Sequence, residues 1–264
     1  MLKIIISPAK KMNVQNDLFA FRSRPFFLND TRRLLAHLTT LTPAQLKALW
    51  KCNDQILQLN LDRLSSMDLD RDLSPALLTY EGLQYQSMAP AVFTQNQWDY
   101  VEHRLFILSG FYGLLRPFDG IVPYRLEMQA RLRTDFCTDL YDFWGDRLYR
   151  QLIHASPAAE DIVINLASKE YSKAIEPWLL ADAQNGASVS MITCLFESEL
   201  LDGTRKIKAT EAKMARGEMV RHLAACASDD PAIMREFSGQ GYAFDETAST
   251  RSEYVFVKPY YRHS

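Results

Sequence analysis

The chain has 264 residues, 47% of them hydrophobic and 11% aromatic, which is enough apolar surface for a sizeable core and excludes a disordered or low-complexity protein. Thirty basic against 32 acidic side chains leave a net charge of −2, which excludes a protein that coats nucleic acid by bulk charge but not one with a local basic groove. Cys52, Cys137, Cys194 and Cys226 form no CxxC pair and read as free thiols of a reducing cytoplasm, the apolar run LKIIIS is too short for a secretory signal, and no stretch reaches the length of a membrane span.

In chain order, residues 2–6 predict a buried strand that ends at Ser7-Pro8, and a polar loop with Lys10 and Lys11 follows. Asn29 or Asp30 is positioned to cap a helix through Arg32, Leu34, Leu35 and Leu38. Thr42-Pro43 opens a second helix, hydroxyl at the N-cap and proline at the first position, with Leu46, Leu49 and Trp50 on its apolar face. A break at Lys51–Asn53 leads to a third helix with Ile56, Leu57, Leu59 and Leu64, and Ser74-Pro75 starts a fourth, short one that ends before Gly82.

Further on, Gln95 to His103 is helical, 104–109 is a strand closed by Gly110, and 140–155 is an amphipathic helix interrupted by Gly145. Strands follow at 161–166 and 188–196, and Gly203 marks a hairpin turn before RKIKA. Glu211 to Ala227 has helical periodicity, Asp230-Pro231 starts another helix, and EYVFVK at 253–258 is a last strand. The elements intermix without a strict βαβ rhythm, a linker or a repeat. The expectation is one mixed α/β (α+β) domain over residues 1–264, with the helix-rich stretch from about 29 to 80 able to form a lobe of its own.

Five stretches carry chemistry. In ISPAKKMN, residues 6–13, the strand end delivers a hydroxyl and the Lys10 ammonium to the sheet edge, though a solvated lysine is the plainer reading. SGFYGLLRPFDGIVPYRLEM, residues 109–128, places Arg116 and Arg125 beside Tyr112, Asp119, Tyr124 and Glu127 in one long post-strand loop. Those guanidinium forks suit phosphate, or they brace the loop by pairing with Asp119 and Glu127. In NLASKEYSK, residues 165–173, Ser168 and Lys169 stand where a strand passes into a helix, ready to hold an anion or simply to cap.

The fourth stretch is the basic run from Arg205 to Arg221, where Lys213 and Arg216 are three apart on one helix face. Solvation alone is the competing account. The fifth is LKALWKCNDQIL, which loosely follows a helix–hairpin–helix pattern, with Lys51 and Asn53 where that pattern has glycines. An ordinary helical hairpin is the alternative. The five histidines have no ligand spacing, so no metal site is expected, and no cofactor motif is present. Glu127 and Glu170 are the best acid–base candidates.

ISPAK, SGFYGLLRPFDGIVPYRLEM, NLASKEY and AKMARGEM (212–219) resemble, in that order, the signature segments of YaaA-type proteins, and the likeness covers essentially the whole chain. The resemblance implies a role in protection from hydrogen peroxide, with links to intracellular iron and to DNA repair or recombination. It also implies an unusual mixed α/β fold with a positively charged cleft and a helix–hairpin–helix element, which would be the pair at 43–64. Lys10, Arg116, Arg125, Lys213 and Arg216 fall within the family motifs and belong in that cleft, with Tyr124, Ser168 and Lys169 beside them. No catalytic activity follows from the likeness.

The leading expectation is a cytoplasmic protein that binds duplex or branched DNA through its phosphates, largely independently of sequence. The rival is an enzyme acting on a phosphate-containing or nucleic-acid substrate with Lys10, Arg116, Tyr124, Glu127, Ser168 and Glu170. Side chains converging in a narrow pocket would favour catalysis, and an open trough would favour binding. Direct iron binding is the weakest reading, because no cluster has ligand spacing.

Overall fold

A mixed sheet of eight strands runs through the computed structural model, which describes residues 2–14, 19–154 and 160–260. The strands are β1 (Leu2–Ile6), β2 (Leu105–Ser109), β3 (Gly113–Leu115), β4 (Asp161–Leu166), β5 (Val189–Glu199), β6 (Arg205–Lys206), β7 (Ala243–Phe244) and β8 (Glu253–Lys258). Their order is β7-β8-β5-β4-β1-β2-β3, with β6 paired to β5. The five central strands β8, β5, β4, β1 and β2 are parallel, and β3, β6 and β7 add antiparallel margins.

A parallel centre is covered on both faces, so its strands read as near-continuous apolar runs. Every residue of β1 is buried, and Ile4 lies between Leu105 and Ile164 of its neighbours. Lys3 is the exception in that run. Its ammonium lies 2.8 Å from Asp161 and donates to the Ile153 carbonyl at 2.9 Å, so the buried charge has both an ionic and a polar partner.

The helices packed around the sheet are α1 (Leu28–Leu38), α2 (Pro43–Trp50), α3 (Asp54–Ser65), α4 (Leu83–Met88), α5 (Gln95–Arg104), α6 (Leu140–Trp144), α7 (Arg147–His154), α8 (Lys169–Ser172), α9 (Glu176–Gln184) and α10 (Ala209–Cys226). Thr42 and Gln45 form a full capping box at α2. The first helix departs from the sequence expectation. It begins at Leu28 with Phe27 at the cap and no side-chain capping bond, and Asp30 instead pairs with Arg147. Gly145, with φ 51°, separates α6 from α7, and the expected continuation to Ala155 lies outside the described residues.

Three other expectations change in detail. Ser74-Pro75 makes a two-residue bridge to Gly120–Ile121 before a helical turn at Ala76–Thr79. Pro231–Glu236 is a 3₁₀ segment rather than an α-helix. The short helices α4 and α9 were not legible from periodicity. The stretch from 29 to 80 has no core of its own: Leu34, Leu46, Trp50 and Leu77 join the same cluster as the β1 isoleucines. The whole is one α/β domain.

The topology singles out one place. After β1 the chain next enters the sheet at β2, on one side, and after β4 it next enters at β5, on the other. Neighbouring parallel strands whose continuations diverge in this way leave a crevice beyond their C-terminal ends, the usual location of a ligand in an open α/β sheet.

Candidate functional site

The two strand ends at that crevice are sewn together by serines. The backbone N–H of Ser168, just after β4, donates to Ser7 Oγ, just after β1, at 2.8 Å. The two hydroxyls lie 3.2 Å apart, and the Tyr85 hydroxyl donates to the Ser7 carbonyl at 2.9 Å. Ser168 occupies the cap position of α8, yet its side chain makes no capping bond and faces its partner serine instead.

A cavity of about 360 Å³ opens above these serines. Lys10 enters it from the loop after β1, Glu127 from the long loop after β3, and Glu170 from α8. Lys213 and Arg216 enter it from α10. The seating of α10 depends on Gly217. A Cβ there would come within 2.0 Å of the Gln84 carbonyl oxygen of α4, so only glycine allows this helix to lie so close. Glycine in mid-helix otherwise costs about 1 kcal/mol relative to alanine.

The charges in the cavity are unequally satisfied. Glu127 is 9% exposed, with Arg125 Nη2 at 2.8 Å and Lys10 Nζ at 3.4 Å from its Oε1. Both approaches are ionic contacts off the hydrogen-bonding direction, so Glu127 Oε1 and Arg125 Nε make no hydrogen bond within the protein. Glu170 accepts from the Gln129 N–H at 3.2 Å. Burial, reinforced by the negative charge of Glu127, pushes the Glu170 carboxyl above the usual carboxylate range. Burial holds Arg216 below the usual guanidinium range, and its Nε has no hydrogen-bond partner. Among the described residues, neither Arg216 nor Lys213 forms an ion pair.

Of the residues singled out by sequence, Lys10, Glu127, Ser168, Glu170, Lys213 and Arg216 thus meet in one cavity. Lys169 is exposed at the start of α8 and does not line it. Arg125 stands behind Glu127 as a brace, and its Nη2 also reaches the Trp50 carbonyl at 3.5 Å. Arg116 does not line the cavity: it pairs with the buried Asp119 at 2.8 Å and donates to the Arg24 carbonyl at 2.8 Å. The carboxylate three residues on captures this guanidinium because the tight turn at 116–119 closes on it. Tyr124 is 6% exposed and does not reach the cavity, its hydroxyl held between Tyr80 at 2.8 Å and Ser109 at 2.6 Å.

The junction of α2 and α3 is a tight helical hairpin. Lys51 takes the left-handed conformation, φ 46°, where a glycine would be the unstrained choice, and the Asn53 side chain accepts from the Ile56 N–H at 2.9 Å as the cap of α3. Through Trp50, Arg125 and Glu127 this hairpin is linked to Lys10 at the cavity. The basic run is partly neutralised. Arg205 pairs with Asp245 at 2.8 Å and Lys208 with Glu211 at 3.3 Å, which leaves Lys213 and Arg216 as its unpaired cavity members.

Sequence reasoning did not single out Glu81, Gln84, Tyr85 or Gly217. A glycine inside the helical run 211–227 was the one available signal, since such a residue usually marks a close approach. Among the described residues no group of three or more His, Cys, Asp or Glu side chains is placed to hold a metal ion, and no helix is long and apolar enough to cross a membrane.

Comparison with known proteins adds the relatives. A family profile described as "Peroxide stress protein YaaA" matches residues 2–248. A UPF0246 protein of Lactiplantibacillus plantarum is 51% identical over 262 residues, which is 99% of this chain and 100% of the relative. A UPF0246 protein of Desulfitobacterium hafniense is 48% identical, covering 97% of this chain and 98% of the relative. One from Lachnoclostridium phytofermentans is 42% identical, covering 97% and 96%.

Proposed function

The chain belongs to the peroxide stress protein YaaA family, and from that premise we propose that it serves the peroxide-stress response by binding DNA phosphates at the cationic rim of this cavity, largely independently of base sequence. The observation that carries the reading is Arg216, a half-buried guanidinium whose Nε has no hydrogen-bond partner and which has no carboxylate partner, three residues from the equally unpaired Lys213. A cation that is partly out of solvent and has no counter-charge costs desolvation, which an external anion would offset. Lys10 adds a third positive group from the opposite loop, although it is shared with Glu127. The α2–α3 hairpin, with Lys51 exposed at its tip, offers a second phosphate contact. A net charge of −2 does not oppose this, because phosphate binding responds to the local field.

The test is duplex affinity by fluorescence anisotropy across a salt titration. Each phosphate neutralised contributes about 0.9 to the slope of log affinity against log salt. Lys213→Ala and Arg216→Met should each lower the slope by about one phosphate. Unchanged slopes in folded variants would remove the cavity from the DNA interface.

A second reading, an enzyme in the same cavity, is favoured by one observation. Burial raises the Glu170 carboxyl above the usual carboxylate range, while Glu127 is paired with Arg125 and Lys10. Two carboxyls in unlike environments are how an acid and a base are assigned in many hydrolytic sites. Lys10, Ser168, Glu127 and Glu170 line this one half-open cavity.

A further inference from the structure

Arg216 is half-buried, its Nε is out of solvent with no hydrogen-bond partner, and no carboxylate pairs with it among the described residues. Glu127 is already matched by Arg125 and Lys10, so the unbalanced charge in the cavity is positive and lies on α10. Glu170 also lines the cavity, but it takes its hydrogen bond from the Gln129 N–H and, among the described residues, forms no ion pair with Arg216 or Lys213. Arg216 and Lys213 project from the same helix face and form a two-cation seat for one anionic group.

Size and wall chemistry narrow the ligand. A volume of about 360 Å³ is in the range of small-molecule sites. A B-form duplex, whose major groove alone is roughly 12 Å wide, cannot enter it. Beside the cations, Pro8, Ala9, Leu83 and Tyr85 supply an apolar wall, which Tyr85 stiffens through its bond to the Ser7 carbonyl. A phosphate seat next to an apolar wall, in a space for one ring system, matches a nucleotide. Enzymes that act on a base likewise draw one nucleotide out of the stack into a fitted pocket.

We propose that the cavity holds a single nucleotide unit, its phosphate on Arg216 and Lys213 and its base against Pro8, Ala9 and Leu83. The unit is either a free nucleoside monophosphate or one unpaired nucleotide of a DNA strand. In the second form the inference rests on the DNA-binding reading above.

The full chain is titrated with 2′-deoxyadenosine 5′-monophosphate and with 2′-deoxyadenosine by calorimetry at low salt. It is also titrated with a fully paired closed-end duplex and the same duplex carrying one unpaired, phosphate-bearing nucleotide, by anisotropy. The expected result is binding of the monophosphate at least tenfold tighter than the nucleoside, and of the interrupted duplex at least tenfold tighter than the closed one. Arg216→Met should abolish both preferences. Lys213→Ala, on an exposed position, reports the same loss should the first variant fail to fold.

Monophosphate binding with no affinity for either duplex would retain the pocket and overturn the DNA reading. Equal binding of both duplexes with no monophosphate binding would overturn the pocket and retain that reading. Nucleoside bound as tightly as monophosphate would overturn the assignment of Arg216 and Lys213 as the phosphate seat.

Discussion

Ser168 gives its backbone N–H to Ser7 Oγ across 161 positions of sequence, and this one bond closes the floor of the cavity between two parallel strands. The hydroxyl is the acceptor, so its removal leaves a part-buried amide unmatched. Ser7→Ala should therefore lower unfolding free energy by about 1–3 kcal/mol and weaken anion binding along with it. Urea unfolding beside a binding titration checks both. Unchanged binding in the variant would mean that the serine pair is structural only.

Arg216 sets stability against binding. Replacing an unpaired, half-buried cation by an apolar side chain of similar length removes a desolvation cost. Arg216→Met is expected to raise stability by about 1 kcal/mol or more while it loses affinity for anions. Thermal unfolding with and without phosphate is the measurement. A destabilised variant would show that the guanidinium has a protein partner in solution.

Gly217 holds α10 against α4 by its lack of a side chain. Alanine there would have a methyl 2.0 Å from the Gln84 carbonyl oxygen, and backbone on both sides must give way. Gly217→Ala should destabilise by about 1–3 kcal/mol as an overpacked contact, and the displaced helix should carry Lys213 and Arg216 out of register. Lys213→Ala, four residues away, should bind weakly yet unfold like the parent protein.

The two arginines of the long loop separate bracing from binding. Arg125→Ala strands the buried Glu127 with only the exposed Lys10 nearby, and a broken buried pair costs about 3–5 kcal/mol. Arg116→Ala strands the fully buried Asp119 in the same way. DNA affinity of a folded Arg116→Ala protein should match the parent, because its guanidinium is turned to Asp119 and Arg24. Weakened DNA binding in that variant would put the loop face back into the interface.

Glu170 gives a pH dependence with a definite sign. Burial is the first cause of its raised pKa, with the charge of Glu127 adding to it. The folded chain therefore keeps this proton to higher pH than the unfolded chain does. Stability must fall as pH rises from the ordinary carboxylate range through the raised value. Glu170→Gln removes that loss, so its advantage in melting temperature over the parent should grow from pH 4 to pH 7. Parallel melting curves across that range would show that Glu170 is solvated in the folded chain.

Much of the local architecture was legible from the sequence because its causes are local. The isoleucine run of β1, the Thr42 cap with Pro43 at the start of α2, the break at Gly145 and the hairpin turn at Gly203 each depend on residues within a few positions. The α1 cap was misread for the same reason: Asn29 and Asp30 are good capping residues, but Thr31 bonds the carbonyls of Phe27 and Phe111 and the helix starts earlier.

The ordered motifs also determined the family, and they contained the cavity's charged side chains apart from Lys11 and Glu81. They did not determine which cations are free. Lys213 and Arg216 look no different in sequence from Arg205 and Lys208, which have carboxylate partners, or from Arg116 and Arg125, which act as braces. Periodicity states which face of an element is apolar, whereas an ion pair is settled by distances through space. Only the parallel pairing of β1 with β4 and the close seating of Gly217 on Gln84 bring Ser7, Glu127, Ser168 and Arg216 around one cavity and leave the guanidinium without a carboxylate partner.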